Sequence, residues 1–192
     1  MNSKEARILA KSALSEERFY HTECVAKAAH ELALHHGVDP ESAELAGYLH
    51  DIVKERCAAD LLQMIESSDI IDLDEIRHCP QVWHAYAGGV YAFRELRLGS
   101  EIADAIAHHT TARAGMTKLE MIVFTADYIS ADRDFSDVGD TRRIAYESLE
   151  LAVLEIIGWQ IERIIERRRC IDINMIRAYN DLILKQRETE DI

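Results

Sequence analysis

The run His50-Asp51-Ile52-Val53-Lys54 carries the densest chemistry in this chain. A neutral imidazole beside a carboxylate offers one nitrogen and one oxygen ligand to a single transition-metal ion. Read as part of one helix, Lys54 falls four residues after His50, hence on the same face. There it would hold an anionic group next to the metal. The pair alone is weak evidence, because His-Asp dipeptides arise by chance. Four further groups strengthen it. His21 shares a helical face with Val25, Ala28 and Leu32, His84 with Gly88 and Tyr91, and His109 with Ile102, Ala105 and Ile106. Asp127 belongs to the apolar face of Ile122, Val123 and Ala126. A single core-facing histidine is more often a packing residue than a ligand. Six inward groups are another matter, since buried carboxylates need a cation or several hydrogen bonds. Their types and spacing favour a metal centre.

The elements that must position these groups read as helices throughout. The pattern predicts a short helix over 3–13 and another over 16–36, opened by Ser15 with Glu16 and Glu17 and closed by Gly37. Asp39-Pro40 starts the next, running to about Arg56. Further helices are expected over 58–67, from Gln81 to about Leu98, and from Ser100, as cap, to about His109. Thr117-Lys118-Leu119-Glu120 has the form of a capping box and opens the helix that carries Asp127. After a loop from Asp132 to Gly139, Asp140 is expected to cap one long helix to about Arg168, and a last helix covers 174–186. No alternating strand pattern and no internal repeat competes with this reading. The fold class is all-α, a helical bundle.

Composition narrows the function. A chain of 192 residues suits one domain. A formal net charge of −13 argues against nucleic acid as a partner, because phosphate-backbone binding needs a basic face. Four scattered cysteines without CxxC spacing read as reduced thiols. The charged N-terminus is no signal peptide, and no apolar run suits a membrane span. The expectation is a soluble, cytoplasmic protein with no membrane partner. His35 and His36 close a helix and are expected to satisfy terminal carbonyls or its dipole. Trp83 and Trp159 read as packing residues, and Arg167-Arg168-Arg169 as a cluster at a helix end, equally suited to solvent and to phosphate.

Arg18-Phe19-Tyr20-His21-Thr22, followed by Ala46-Gly47-Tyr48-Leu49-His50-Asp51-Ile52-Val53-Lys54, resembles the opening of an HD-domain phosphohydrolase. Trp83-His84-Ala85, the stretch from His109 through Arg113 to Met116, Ala126-Asp127-Tyr128-Ile129 and Arg133-Asp134-Phe135 narrow the likeness to symmetrical bis(5′-nucleosyl)-tetraphosphatases of the YqeK type. The resemblance covers residues from about 15 to 180. It implies one HD domain over 1–192, with a core at about 15–135 and helices at 140–187 closing the nucleotide side. It also implies bound iron, one ion or two, with manganese or zinc as substitutes. The implied reaction is hydrolysis of diadenosine tetraphosphate into two ADP.

Carried over by position, the resemblance makes His21, His50, Asp51 and Asp127 metal ligands. Asp51, Lys54, His84 and His109 become the catalytic groups, His84 and His109 facing the phosphates and available to a second metal. Arg18, His84, His109 and Arg133 are placed at the nucleotide, together with Cys170, Ile171, Asp172, Ile173, Asn174, Met175 and Asn180. The chain departs from the family at His108, where an aromatic residue is usual. It departs again over 166–173, where Glu-Arg-Arg-Arg-Cys-Ile-Asp-Ile replaces a loop bearing glycine and proline. The implied partners are a dinucleoside polyphosphate and ADP, with oligomerisation left open. Two alternatives stand beside this reading: an HD hydrolase of another nucleotide, and a nucleotide-binding regulatory module without turnover.

Overall fold

A computed structural model describes residues 1–68, 71–134, 136 and 138–190; Phe135, part of the family resemblance, lies outside the described residues. Eleven α-helices and no strand are found among the described residues: α1 (Ser3–Ala13), α2 (Glu16–His36), α3 (Pro40–Leu49), α4 (Ala58–Glu66), α5 (Leu73–Ile76), α6 (Trp83–Arg94), α7 (Ser100–Ala107), α8 (Lys118–Ile129), α9 (Val138–Glu147), α10 (Leu149–Glu166) and α11 (Ile173–Glu190). None of them is long and apolar enough to cross a membrane.

The start and stop signals act as their chemistry requires. Ser15 Oγ accepts from the Arg18 amide, and Gly37 ends α2 at φ 69°, a left-handed conformation that suits glycine. Asp39 caps α3 with Pro40 in its first turn, and the Thr117–Glu120 capping box is present with both bonds made. Helix α2 packs on α3 and α8, α6 packs on α7, and α7 packs on α8. Leu32, Leu49, Tyr86, Ile106, Ile122 and Phe124 fill the space between them. Two glycines set the spacing of the helix pairs. A Cβ on Gly47 would lie 2.6 Å from Ala26 Cα, and one on Gly89 would lie 2.6 Å from Ala107 Cβ. Bare backbone at these positions lets α3 approach α2, and α6 approach α7. The first approach joins the elements of His21 and His50, the second those of His84 and His109.

Several boundaries differ from the sequence reading. Helix α3 stops at Leu49, and residues 50–56 form successive turns, with Ile52, Lys54 and Arg56 amides bonded to the carbonyls three residues back. His50 and Lys54 are therefore not one helical turn apart on a common helix. The helix expected to reach His109 ends at Ala107, with His108 as its C-cap and β-branched Thr110 and Thr111 following. Its N-cap is Gly99, not Ser100, and Ser100 is the first helical residue. The single long helix from Asp140 is two. Ser148 adopts an extended φ of −155° and caps α10 through its hydroxyl, so the chain breaks between α9 and α10, and Asp140 lies inside α9. The acidic stretch before Pro80 holds one short helix, α5.

Candidate metal centre

Four imidazoles form a row across the bundle: His21, His50, His109 and His84, each edge-on to the next, with ring centroids 5.3, 4.9 and 5.2 Å apart. Each comes from a different element: α2, the C-cap of α3, the turn after α7, and the first turn of α6. Asp127, from α8, meets His21, and Asp51 meets His50, His84 and His109. His21, His50, Asp51, His84 and His109 are all buried, whereas the Asp127 side chain keeps 23% of its surface exposed.

The backbone decides which nitrogen each ring presents. His50 Nδ1 lies 2.8 Å from the Gly47 carbonyl, and His109 Nδ1 lies 2.7 Å from the Ile106 carbonyl. A carbonyl only accepts, so both Nδ1 atoms carry the proton and, in the neutral rings, both Nε2 atoms keep a lone pair aimed at the centre. His21 Nδ1 is likewise held by Asp132 Oδ2 at 2.7 Å, leaving Nε2 3.0 Å from Asp127 Oδ1. That carboxylate–imidazole pairing is the usual outer support of a metal-ligating histidine.

Two atoms at the centre are buried without a hydrogen-bond partner among the described residues: His50 Nε2 and Asp51 Oδ1. Both are electron-pair donors, and a cation between them satisfies both at once. Ligand atoms of His21, His50 and Asp127 lie within 4.8 Å of one another, as do those of His50, Asp51 and His109. The two sets share His50, and together they contain all four expected ligands plus His109. The donor chemistry, imidazole nitrogen mixed with carboxylate oxygen, fits a divalent metal site.

Electrostatics keeps His50, Asp51, His84 and Asp127 in ligand form. Burial pushes the His50 pKa down to about 4. Burial alone would raise the carboxyls, but His50, His109 and Lys54 hold Asp51 well below the usual range, and His21, His50 and Arg133 do the same for Asp127. His84 is held well below an ordinary histidine, first by burial and then by the Lys54 ammonium, whose Nζ lies 2.8 Å from His84 Nε2. Burial pulls His21 down, yet Asp127 and Asp132 carry it above its ordinary value.

Cations ring the centre. Arg18 Nη1 lies 3.0 Å from Asp51 Oδ2, Arg133 Nη2 lies 2.7 Å from Asp127 Oδ1, and Lys54 Nζ lies 3.7 Å from Asp51 Oδ1. Lys54 thus reaches the site from a turn rather than from the helical face expected for it.

Beside the centre opens a cavity of about 340 Å³. His109, Thr110, Asp127 and Arg133 form its inner wall. Trp159, Gln160 and Arg163 of α10, with its C-cap Arg167, form the outer one. Of the C-terminal residues assigned to the nucleotide, Asp172 and Met175 line this cavity. Both oxygens of Asp172 accept from the Tyr86 hydroxyl at 3.2 Å, and one accepts from the Asn174 amide, so its carboxylate is engaged within the protein. Asn174 Nδ2 donates to Tyr86 Oη, and Asn174 faces a second, larger cavity of about 530 Å³ together with His108. Cys170, Ile171, Ile173 and Asn180 are absent from the cavity wall; Cys170, Ile173 and Asn180 are exposed, and the Cys170 carbonyl accepts from Gln81.

The sequence reading missed Asp132, taken as the start of a loop, and Gln160 and Arg163 of the outer wall, and it read Trp159 as packing. Trp159, Arg163 and Arg167 recur every four residues, a helical-face signal that was available. Nothing in the sequence said which helix that face would meet. His35 and His36 do satisfy carbonyls, but those of Tyr146 and Ala145 at the end of α9, each at 2.7 Å.

Comparison with known proteins agrees with this geometry. Residues 18–132 match the HD domain family. The chain is 34% identical to the symmetrical bis(5′-nucleosyl)-tetraphosphatase of Bacillus subtilis over 95% of its own length and 98% of that protein. It is 32% identical to the protein of the same name from Halalkalibacterium halodurans over 97% and 100%. A crystal structure from Clostridium acetobutylicum, described as a predicted HD superfamily hydrolase involved in NAD metabolism, superposes with a TM-score of 0.90 at 29% identity, covering 95% of this chain and 97% of that one. On its histidine–aspartate centre and on these likenesses over nearly its whole length, the chain belongs to the HD-domain family, in the branch of the symmetrical bis(5′-nucleosyl)-tetraphosphatases.

Proposed function

We propose that this protein hydrolyses diadenosine tetraphosphate symmetrically, releasing two ADP, with a divalent metal held by His21, His50, Asp51 and Asp127. The observation that carries the reading is the pair of buried donors without a hydrogen bond among the described residues, His50 Nε2 and Asp51 Oδ1, inside a ring of arginine and lysine. Buried donors ask for a cation, and cations beside them ask for an anion: the combination suits a metal–phosphate complex. When bound, the metal supplies Lewis-acid contact to a phosphoryl oxygen and lowers the pKa of a water molecule. Iron is the metal we assign, with manganese and zinc accommodated by the same nitrogen and oxygen donors.

The chain's own residues do the rest. Arg18, Lys54 and Arg133 offset charge that grows on the phosphoryl group and the departing ADP. His109, with its proton committed to the Ile106 carbonyl, offers a lone pair, so it acts as a ligand or acceptor rather than as a proton donor. Were a second metal bound, His50, Asp51 and His109 would be the residues to hold it. His84 is kept neutral and close to Lys54, where it orients the ammonium toward a phosphate. The cavity between the centre and α10, about 340 Å³ and lined by Asp172 and Met175 among others, would take one nucleoside arm of the substrate; a symmetrical cut falls between the second and third phosphates. We assign one domain, the 15–135 core closed by the C-terminal helices, working in the cytoplasm.

The test is product analysis. Metal-loaded protein incubated with diadenosine tetraphosphate should yield ADP alone. AMP with ATP would mean an asymmetric cut, and no turnover of any nucleotide would leave a regulatory binding module as the better reading.

A further inference from the structure

Two of the four cysteines, 91 residues apart in the chain, meet at the edge of the active-site cavity. The Cys79 thiol donates to the Cys170 carbonyl at 3.6 Å, and Gln81 Nε2 donates to the same oxygen at 3.3 Å. A carbonyl oxygen lies about 2.4 Å from its own Cα, so the Cys170 Cα is within about 6 Å of the Cys79 sulfur. A disulfide holds its two Cα atoms roughly 4.4–6.8 Å apart, a span this pair meets with a shift of at most about 2 Å. Neither residue lies within a helix. Cys79 falls between α5 and α6, just before the 3₁₀ turn Pro80–Val82, and Cys170 falls between α10 and α11. The two thiols differ in exposure. Cys170 is open to solvent, whereas Cys79 is buried, and burial, with Asp172 and Cys170 itself nearby, pushes its thiol up to about 11. Cys170 is thus the thiol that a reagent meets, and Cys79 the one that waits beside it.

We propose that Cys170 and Cys79 form a reversible disulfide that fastens the edge of the active-site cavity; its effect on turnover, though not the bridge, rests on the hydrolase reading above. A low-molecular-weight disulfide, such as glutathione disulfide, supplies the oxidising equivalents. The Cys170 thiolate attacks one of its sulfurs, forming a mixed disulfide and releasing one glutathione thiolate, which takes up the proton that Cys170 lost. The Cys79 sulfur, losing its own proton, then attacks the Cys170 sulfur and expels the second glutathione. Two protein thiols are oxidised and one disulfide is reduced to two thiols, so electrons and protons balance. No reagent has to reach Cys79, because its neighbour delivers the reactive sulfur. The consequence follows from position. Gln81 and Val82, next to Cys79, line the active-site cavity, as do Asp172 and Met175, just after Cys170. A bond between residues 79 and 170 ties these two stretches of wall together, so that they cannot part when a ligand enters or leaves. Cys170 being exposed, the bridge stays open to reduction by a small thiol.

The experiment treats metal-loaded protein with glutathione disulfide and follows the peptide map together with turnover of diadenosine tetraphosphate. Wild type should yield a peptide pair linked through Cys79 and Cys170, and turnover should fall severalfold and return with dithiothreitol. Because the Cys79 thiol must lose its proton, closure should accelerate as the pH rises above neutrality. Cys79→Ser should stop at a glutathione adduct on Cys170. Cys170→Ser, a change at an exposed position, should give no linked pair and lose the oxidation-dependent fall in turnover. A wild type that stops at the Cys170 adduct, or that forms the bridge with turnover unchanged, would overturn the proposal. If the protein hydrolyses no dinucleotide in either state, the hydrolase reading fails and trypsin decides the rest. Cleavage after the exposed Arg167, Arg168 and Arg169 should slow once Cys170 is bridged, and an unchanged rate would sink the fastening.

Discussion

Asp51 touches more of the centre than any other side chain: Arg18 on one oxygen, and His84, His109 and Lys54 around the other. Removing it leaves four cations or potential ligands without their anion. Asp51→Ala should therefore lose bound metal and activity together while the helical circular-dichroism signal persists. Elemental analysis showing full metal in that variant would remove Asp51 from the ligand set. Lys54 differs, since it neighbours the donors without being one. Lys54→Ala should keep the metal and lose transition-state stabilisation of ~2–4 kcal/mol, the size seen for an oriented donor. Unchanged kcat/KM would place Lys54 outside the reaction. His109 separates one metal from two. With a second ion bound, His109→Ala should halve the metal content. With one ion, it should leave the stoichiometry unchanged and lower turnover by roughly 10²-fold.

Among the elements, the turn from His108 to Thr117 matters most, because it places His109 and yet has no regular structure. Glu120 anchors it: the carboxylate is 1% exposed, pairs with the Arg113 guanidinium, and accepts from the Thr117 amide at 2.7 Å. Burial would raise its pKa, but the Arg113 and Thr117 bonds hold it below the ordinary 4.5. A depressed carboxyl pKa gives stability that is present above the unfolded value and lost as pH falls through the folded one. Glu120→Gln should accordingly destabilise the protein by about 2 kcal/mol at neutral pH. Against wild type that difference should shrink once the pH drops below about 4.5. Melting temperatures measured from neutral to acid pH check this, and a gap that stays constant into acid would show that charge is not the reason.

At the scale of the molecule, helices α2, α6 and α8 and the turns that follow α3 and α7 deliver polar groups to one buried point, an arrangement that spends folding energy unless a ligand satisfies them. Metal should therefore be a stabiliser as well as a reagent. Binding only to the folded state contributes about 2.7 kcal/mol at a free concentration one hundred times Kd. Chelation should lower the melting temperature, and Fe²⁺ or Mn²⁺ should restore it in wild type but not in Asp51→Ala. Equal melting temperatures with and without metal would mean that the centre is organised by its ion pairs alone.

What the sequence by itself determined were the local rules. Gly37, Asp39-Pro40 and the Thr117–Glu120 box act within a few residues and need no partner, so the ends they mark are where expected. The inward positions of His21, His84, His109 and Asp127 followed from apolar periodicity, which encodes facing. Facing is not meeting. That His50 Nε2 is orphaned, that Asp132 backs His21, and that Lys54 reaches His84 from a turn depend on how α2, α3, α6 and α8 cross. Likewise the break at Ser148 turned one expected helix into two and laid Trp159, Gln160 and Arg163 across the cavity. Of these only Trp159 was read, as a packing residue, and its ring partner Tyr128 lies on α8, some 30 residues away in the chain. Such contacts depend on the packing of whole helices, and no short stretch of sequence contains it.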